Sequence, residues 1–147
     1  MKKAFTVLEL IFVIVVIGIL AGLAMPRLFP VIDTAKIKKA QSQVSAIRAS
    51  IGNAYSKNII SGNDKCPELE KNTSDNKLFE NILTYPLSTT ATDVKWKFDS
   101  NDTNKTVYTV TIGDMNTTFT YEKSTSENCP FKCKSSDELC KKIEQRQ

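Results

Sequence analysis

Between Phe5 and Met25 the chain holds one charged residue, Glu9, in a run that is otherwise apolar apart from Thr6 and the glycines. As helix this stretch measures about 31 Å at 1.5 Å per residue, enough to cross a bilayer. From Ile37 the pattern changes. Ile37, Ala40, Val44, Ile47, Ile51 and Ala54 alternate steps of three and four, with Lys36, Lys38, Lys39, Gln41, Gln43 and Arg48 between them. That spacing predicts an amphipathic helix with one buried stripe and one solvated face. Asn58 to Asp64, containing Ser61-Gly62-Asn63, ends it.

Further along, a period of two takes over. Val94, Trp96 and Phe98 share one face of a predicted strand, Tyr108, Val110 and Ile112 one face of a second, and Phe119 and Tyr121 one face of a third. The connections at 99–104 and 113–116 are rich in Asp, Asn and Gly and read as turns. An antiparallel meander with one apolar face results, and the helical stripe at 37–54 is its natural cover. Between them, 66–92 reads as polar linker, in which Lys77 to Leu83 has room for a short helix capped by Asp75 or Asn76. Near the C-terminus, Ser135 and Glu138 have capping-box spacing and predict a short helix ending near Gln145.

An ionised group inside an apolar helix costs up to roughly 2.5–3.5 kcal/mol at the centre of a membrane span and less near its end. Glu9 therefore needs a positive partner, and the one expected is an α-amine at Phe5, freed by proteolysis after Ala4. Gly18 and Gly22 form a small-xxx-small pair that lets apolar helices approach closely. Pro26 removes one helical hydrogen bond and is expected to kink the helix.

Lys2-Lys3-Ala4 followed by Phe5-Thr6-Val7-Leu8-Glu9 resembles the processing site of type IV pilins and of type II secretion pseudopilins. The match covers about the first 26 residues and ends on Pro26; Ala4 stands where the family usually has Gly. The resemblance implies cleavage between Ala4 and Phe5 by a prepilin peptidase, N-methylation of Phe5, and neutralisation of a neighbouring subunit's amine by Glu9 during assembly. It implies an α+β fold in which a long N-terminal transmembrane/amphipathic helix packs on a small antiparallel sheet. The expected organisation is a leader at 1–4, a transmembrane or filament-core helix at 5–26, and a periplasmic globular domain at 27–147. The expected partners are the peptidase, further copies and other pseudopilins, and an inner-membrane assembly platform with its ATPase. The expected location is the inner membrane, single-pass, and then the assembled pseudopilus.

Other readings remain open. Lys2 and Lys3 with a cut near Gly22-Leu23-Ala24 describe a secretory signal, although the apolar stretch exceeds an ordinary h-region and contains Glu9. A membrane-anchored periplasmic domain that never polymerises is another, and the filament itself has alternatives in a DNA-uptake pseudopilus or a true type IV pilus.

The chain has 147 residues and a net charge of +4, which falls by two when Lys2 and Lys3 leave. That balance does not argue for nucleic acid. Lys132, Lys134, Lys141, Lys142 and Arg146 share the tail with Glu127, Asp137, Glu138 and Glu144, a mixed solvated surface. Four cysteines, Cys66, Cys129, Cys133 and Cys140, fit an oxidising compartment. They allow three pairings, and the first expectation joins Cys66 to one tail cysteine and the remaining two to each other. A four-thiolate zinc site is the alternative, supported only by the local spacing of Cys129 and Cys133. Asp99, Asn101, Asp102 and Asn104 read as turn chemistry rather than a calcium loop. With no His and no phosphate-binding or hydrolase motif, neither catalysis nor a cofactor is expected. Glu68, Glu70, Asp137 and Glu138 read as solvated carboxylates.

Overall fold

A computed structural model describes residues 6–71, 76–125 and 128–145, with the side chains of 23–32 excluded. The chain divides into two compact units, Met1–Ala35 and Lys36–Gln147.

Helix α1 spans Val7–Ile60 and so begins in the first unit and ends in the second. At its start, Thr6 Oγ1 accepts the Glu9 N–H at 3.3 Å, which satisfies one of the donors a helix N-terminus leaves free. At its end, the Asn63 N–H bonds to Asn58 O and the Gly62 N–H to Ile59 O, both at 2.9 Å. Gly62 takes a φ of 77° there. Together these form a Schellman closure, which needs a residue that accepts the left-handed conformation. The stop expected at 58–64 is thus confirmed.

The transmembrane part of the expected fold does not hold. Among the described residues, no helix is long and apolar enough to cross a membrane. The packing of helix on sheet belongs to the second unit alone.

In that unit β3 (Lys95–Asn101), β4 (Lys105–Ile112), β5 (Met115–Glu122) and β6 (Phe131–Cys133) form one antiparallel sheet in the order β3-β4-β5-β6. The first three are the strands predicted by alternation. β4 and β5 turn on Gly113 and Asp114, with Ile112 opposite Met115 and Gly113 at a φ of 58°. Glycine is favoured there because the turn needs a positive φ. β3 has a bulge between Phe98 and Ser100, which shifts its register against β4. Strand β6 was not expected; three residues are too few to show a period, and Phe131 enters the core from it.

One apolar cluster fills the space between sheet and helix. Ala40, Val44, Ile47, Ile51 and Tyr55 meet Val94, Trp96, Tyr108, Val110, Phe119 and Tyr121. The Phe119 and Phe131 rings stack with centroids 5.0 Å apart. Trp96 Nε1 donates to Gln43 Oε1 at 2.9 Å, so a polar bond marks the seam between α1 and β3.

The region 66–92 departs from the expectation of a helix at 77–83. Lys77–Leu78 is a short strand, β1, paired with β2 (Leu87–Ser88). Phe79 follows at a φ of 64°, which ends any helix there, and only one turn remains, closed by the Leu83 N–H on Phe79 O at 2.9 Å.

Helix α2 spans Glu138–Glu144. Its N-cap is Asp137, not Ser135, and no side-chain capping bond forms. Asp137 Oδ2 accepts instead from the buried Thr117 hydroxyl at 3.0 Å, so a tertiary bond takes the place of the capping box. Gln41 Nε2 donates to Lys142 O at 2.8 Å, and Arg48 bonds to both Phe131 O and the Glu144 carboxylate. These bonds tie the tail to α1.

Candidate functional site

Two features of the chain ask for a functional account. The first is the start of α1. Val7, Leu8, Leu10, Ile11, Phe12 and most large apolar side chains as far as Leu20 are exposed, with Leu8 at 81%. Exposure on every side is unusual, since a helix that is apolar all round is normally buried. A contiguous apolar surface of this extent marks an interaction site. Glu9 lies on the first turn and is itself exposed.

The local geometry of Glu9 follows from its sequence. Thr6 is the cap and Glu9 stands three residues on, the spacing of a capping box. A carboxylate in the first turn is also favoured by the helix dipole, by about 0.3–1 kcal/mol. Thr6 is the residue that sequence reasoning missed, although the signal was there in Thr6-Val7-Leu8-Glu9. The cap bond itself is made by the Glu9 backbone amide and does not draw on its carboxylate. Gly18 and Gly22 have no atom within 4 Å of an added Cβ, so the helix surface is open at both.

Ala4 and Phe5, the residues expected to flank the processed bond, lie outside the described residues. The same holds for the Pro26 side chain, although the backbone is helical through that position.

The second feature is the set of groups that holds the sheet and its surrounding loops. Cys66 and Cys129 are joined, with Cα atoms 5.6 Å apart, and Cys133 is joined to Cys140. The expected pairing of Cys66 with a tail cysteine is met. All four thiols are consumed, which leaves no thiolate for a zinc site.

Comparison with protein-family models, with curated proteins and with solved structures gave no match.

Glu70 departs from its reading as a solvated carboxylate. It accepts the Phe79 N–H at 3.1 and 3.0 Å through its two oxygens, and the Tyr108 hydroxyl at 2.7 Å. Burial raises its pKa against the lowering effect of those bonds. Tyr108 is pushed up by burial and then by the Glu70 charge. Nearby, the Tyr121 hydroxyl donates to Pro67 O at 2.8 Å, directly beside Cys66. These bonds fix the 66–70 segment on the sheet.

Several of the remaining candidates are locally paired. Asp99 accepts from Thr109 and pairs with Lys97, while Asn101 Oδ1 accepts from Thr106 at 2.7 Å. Lys134 pairs with Asp137 and Lys142 with Glu138. Glu68 pairs with Lys123. Among the described residues no group of His, Cys, Asp and Glu is arranged to hold a metal ion.

Proposed function

We propose that this chain is a non-catalytic structural subunit of a pilus-like filament of the type II secretion pseudopilus kind. The observation that carries this reading is the all-round exposure of apolar side chains from Val7 to Leu20 around a single carboxylate, Glu9. The occupant of that surface is the same helix of other copies. Open positions at Gly18 and Gly22 favour close helix approach. Glu9 adds a demand for register, because a carboxylate drawn into an apolar bundle costs several kcal/mol unless a positive group meets it.

The positive group is the amine of Phe5 in a neighbouring copy, created by cleavage after Ala4 and then methylated. A prepilin peptidase makes the cut, and an inner-membrane platform with its ATPase adds subunits. The body lies outside the cytoplasm, in keeping with its two disulfides. The matched charges of the tail support a solvated surface rather than one that grips DNA phosphates.

N-terminal sequencing and filament recovery test this reading. Assembled material should begin at a methylated Phe5. Glu9→Val should be made and cleaved yet fail to enter filaments. Filaments whose subunits still begin at Met1, or that incorporate Glu9→Val normally, would overturn it.

A further inference from the structure

The chain has ten asparagines, and four of them begin an Asn-x-Ser/Thr triplet: Asn72, Asn101, Asn104 and Asn116. That triplet is the acceptor for asparagine-linked glycans in exported proteins. A second regularity coincides with it. Each of the four has an acidic residue two positions earlier, Glu70, Asp99, Asp102 and Asp114 respectively. None of the other six, Asn53, Asn58, Asn63, Asn76, Asn81 and Asn128, has either feature. The acid and the hydroxyl residue therefore travel together around the same asparagines.

The spacing has a physical meaning. In an extended chain, residues two apart share a face, roughly 6.5–7 Å from one to the next. Acid, asparagine and hydroxyl then form one row of three polar groups along one edge of a segment. A transferase that binds an extended acceptor can read this row with a cation for the acid and a hydrogen-bonding partner for the hydroxyl.

The fold separates the four candidates. Asn72 lies outside the described residues. Asn104 depends on Thr106, whose side chain is buried and whose hydroxyl is donated to Asn101. Asn116 is paired with Thr111 inside the β4–β5 ladder, and its Thr118 is half-buried. Asn101 differs. Asp99, Asn101, Asp102 and Thr103 are all exposed, at the end of edge strand β3 where it enters the turn to β4. Thr106 holds the Asn101 Oδ1, while Nδ2 has no partner among the described residues. Asp99 pairs through one oxygen with Lys97, which is 78% exposed, and accepts the Thr109 hydroxyl through the other; a transferase cation would replace only the surface pair.

We infer that Asn101 is a site of N-linked glycosylation, read as the five-residue segment Asp99-Ser100-Asn101-Asp102-Thr103. The donor is an oligosaccharide on a lipid-linked diphosphate. Nδ2 forms a bond to the anomeric carbon, the anomeric C–O bond breaks, and the lipid diphosphate leaves with the electron pair. The amide proton passes to a base of the transferase. The inference requires export of the body, which the disulfides support, and does not depend on filament assembly.

Intact-mass and peptide mass spectrometry on protein purified from its native cells tests it. The wild type should carry a glycan mass increment on the peptide containing Asn101, with both disulfides closed. Asn101→Gln and Thr103→Val should each lose that increment, Thr103→Ser should keep it, and Asp99→Asn should lower its occupancy several-fold. Closure of both bridges in each variant shows that it was exported and folded. An unmodified mass in wild-type protein with both bridges closed would overturn the inference. So would an increment mapped only to Asn72, Asn104, Asn116 or a hydroxyl side chain, or one that survives in Thr103→Val.

Discussion

The Tyr108 hydroxyl donates to Glu70 Oε1 at 2.7 Å, joining residues 38 positions apart in the chain. The same carboxylate takes the backbone N–H of Phe79, a fully buried residue held at a φ of 64°. One side chain therefore secures a sheet strand and a backbone conformation that a bulky residue rarely adopts.

Replacing Glu70 by Ala should destabilise the second unit by about 2–4 kcal/mol, because two donors lose their acceptor in partly or wholly buried surroundings. Urea unfolding followed by Trp96 fluorescence measures it; Trp96 is the sole tryptophan. The pH dependence has a definite sign. Burial raises the folded-state pKa of Glu70, so its contribution is fully present below the ordinary carboxylate value and is lost as pH rises through the raised one. Across that window Glu70→Gln should gain stability relative to the wild type. Asp93 and Glu138 act in the opposite sense: each is lowered, chiefly by a lysine hydrogen bond, and each contribution fades on acidification.

The two disulfides should differ in worth. Cys66–Cys129 closes a separation of 63 residues and Cys133–Cys140 one of 7. Loop-closure entropy assigns about 4 kcal/mol to the longer and about 2.5 kcal/mol to the shorter. Unfolding of the Cys66→Ser/Cys129→Ser and Cys133→Ser/Cys140→Ser pairs should reproduce that order.

The cap made by Thr6 and the charge of Glu9 can be separated. Thr6→Val removes the cap acceptor and should cost about 1 kcal/mol of local helix stability, seen as faster hydrogen exchange at the Glu9 amide. It should leave filament entry largely intact. Glu9→Gln keeps the size and the helix but removes the charge, and should reduce filament entry well beyond the effect of Thr6→Val.

Ile47 is fully buried in the stripe that α1 presents to the sheet. Ile47→Ala should cost about 2–5 kcal/mol. Trp96→Phe removes the donor to Gln43 and should cost about 1–2 kcal/mol. Thermal unfolding by circular dichroism checks both.

Periodicity made the central fold readable. Steps of three and four placed Ala40, Val44, Ile47 and Ile51 in the core, and alternation placed Trp96, Tyr108, Val110 and Phe119 there. What escaped depended on contacts distant in sequence. Glu70 lies in a polar linker with no period, and only Tyr108 and Phe79 give it a role. Lys77 to Leu83 has helix-like spacing, but pairing with β2 and the φ of Phe79 override it. At the tail, Asp137 turned to Thr117 rather than to its own helix. The candidate site was partly legible. Glu9 stood out by charge, whereas the Thr6 cap needed the helix start to be located first.

Strand β3 lies at one edge of its sheet, yet its outer row carries exposed Lys95 and Lys97, and a bulge bends it beyond Phe98. Exposed lysines and a broken register make that rim a poor template for a foreign strand. Two molecules held side by side at high local concentration would thus find no regular strand edge to extend along this border.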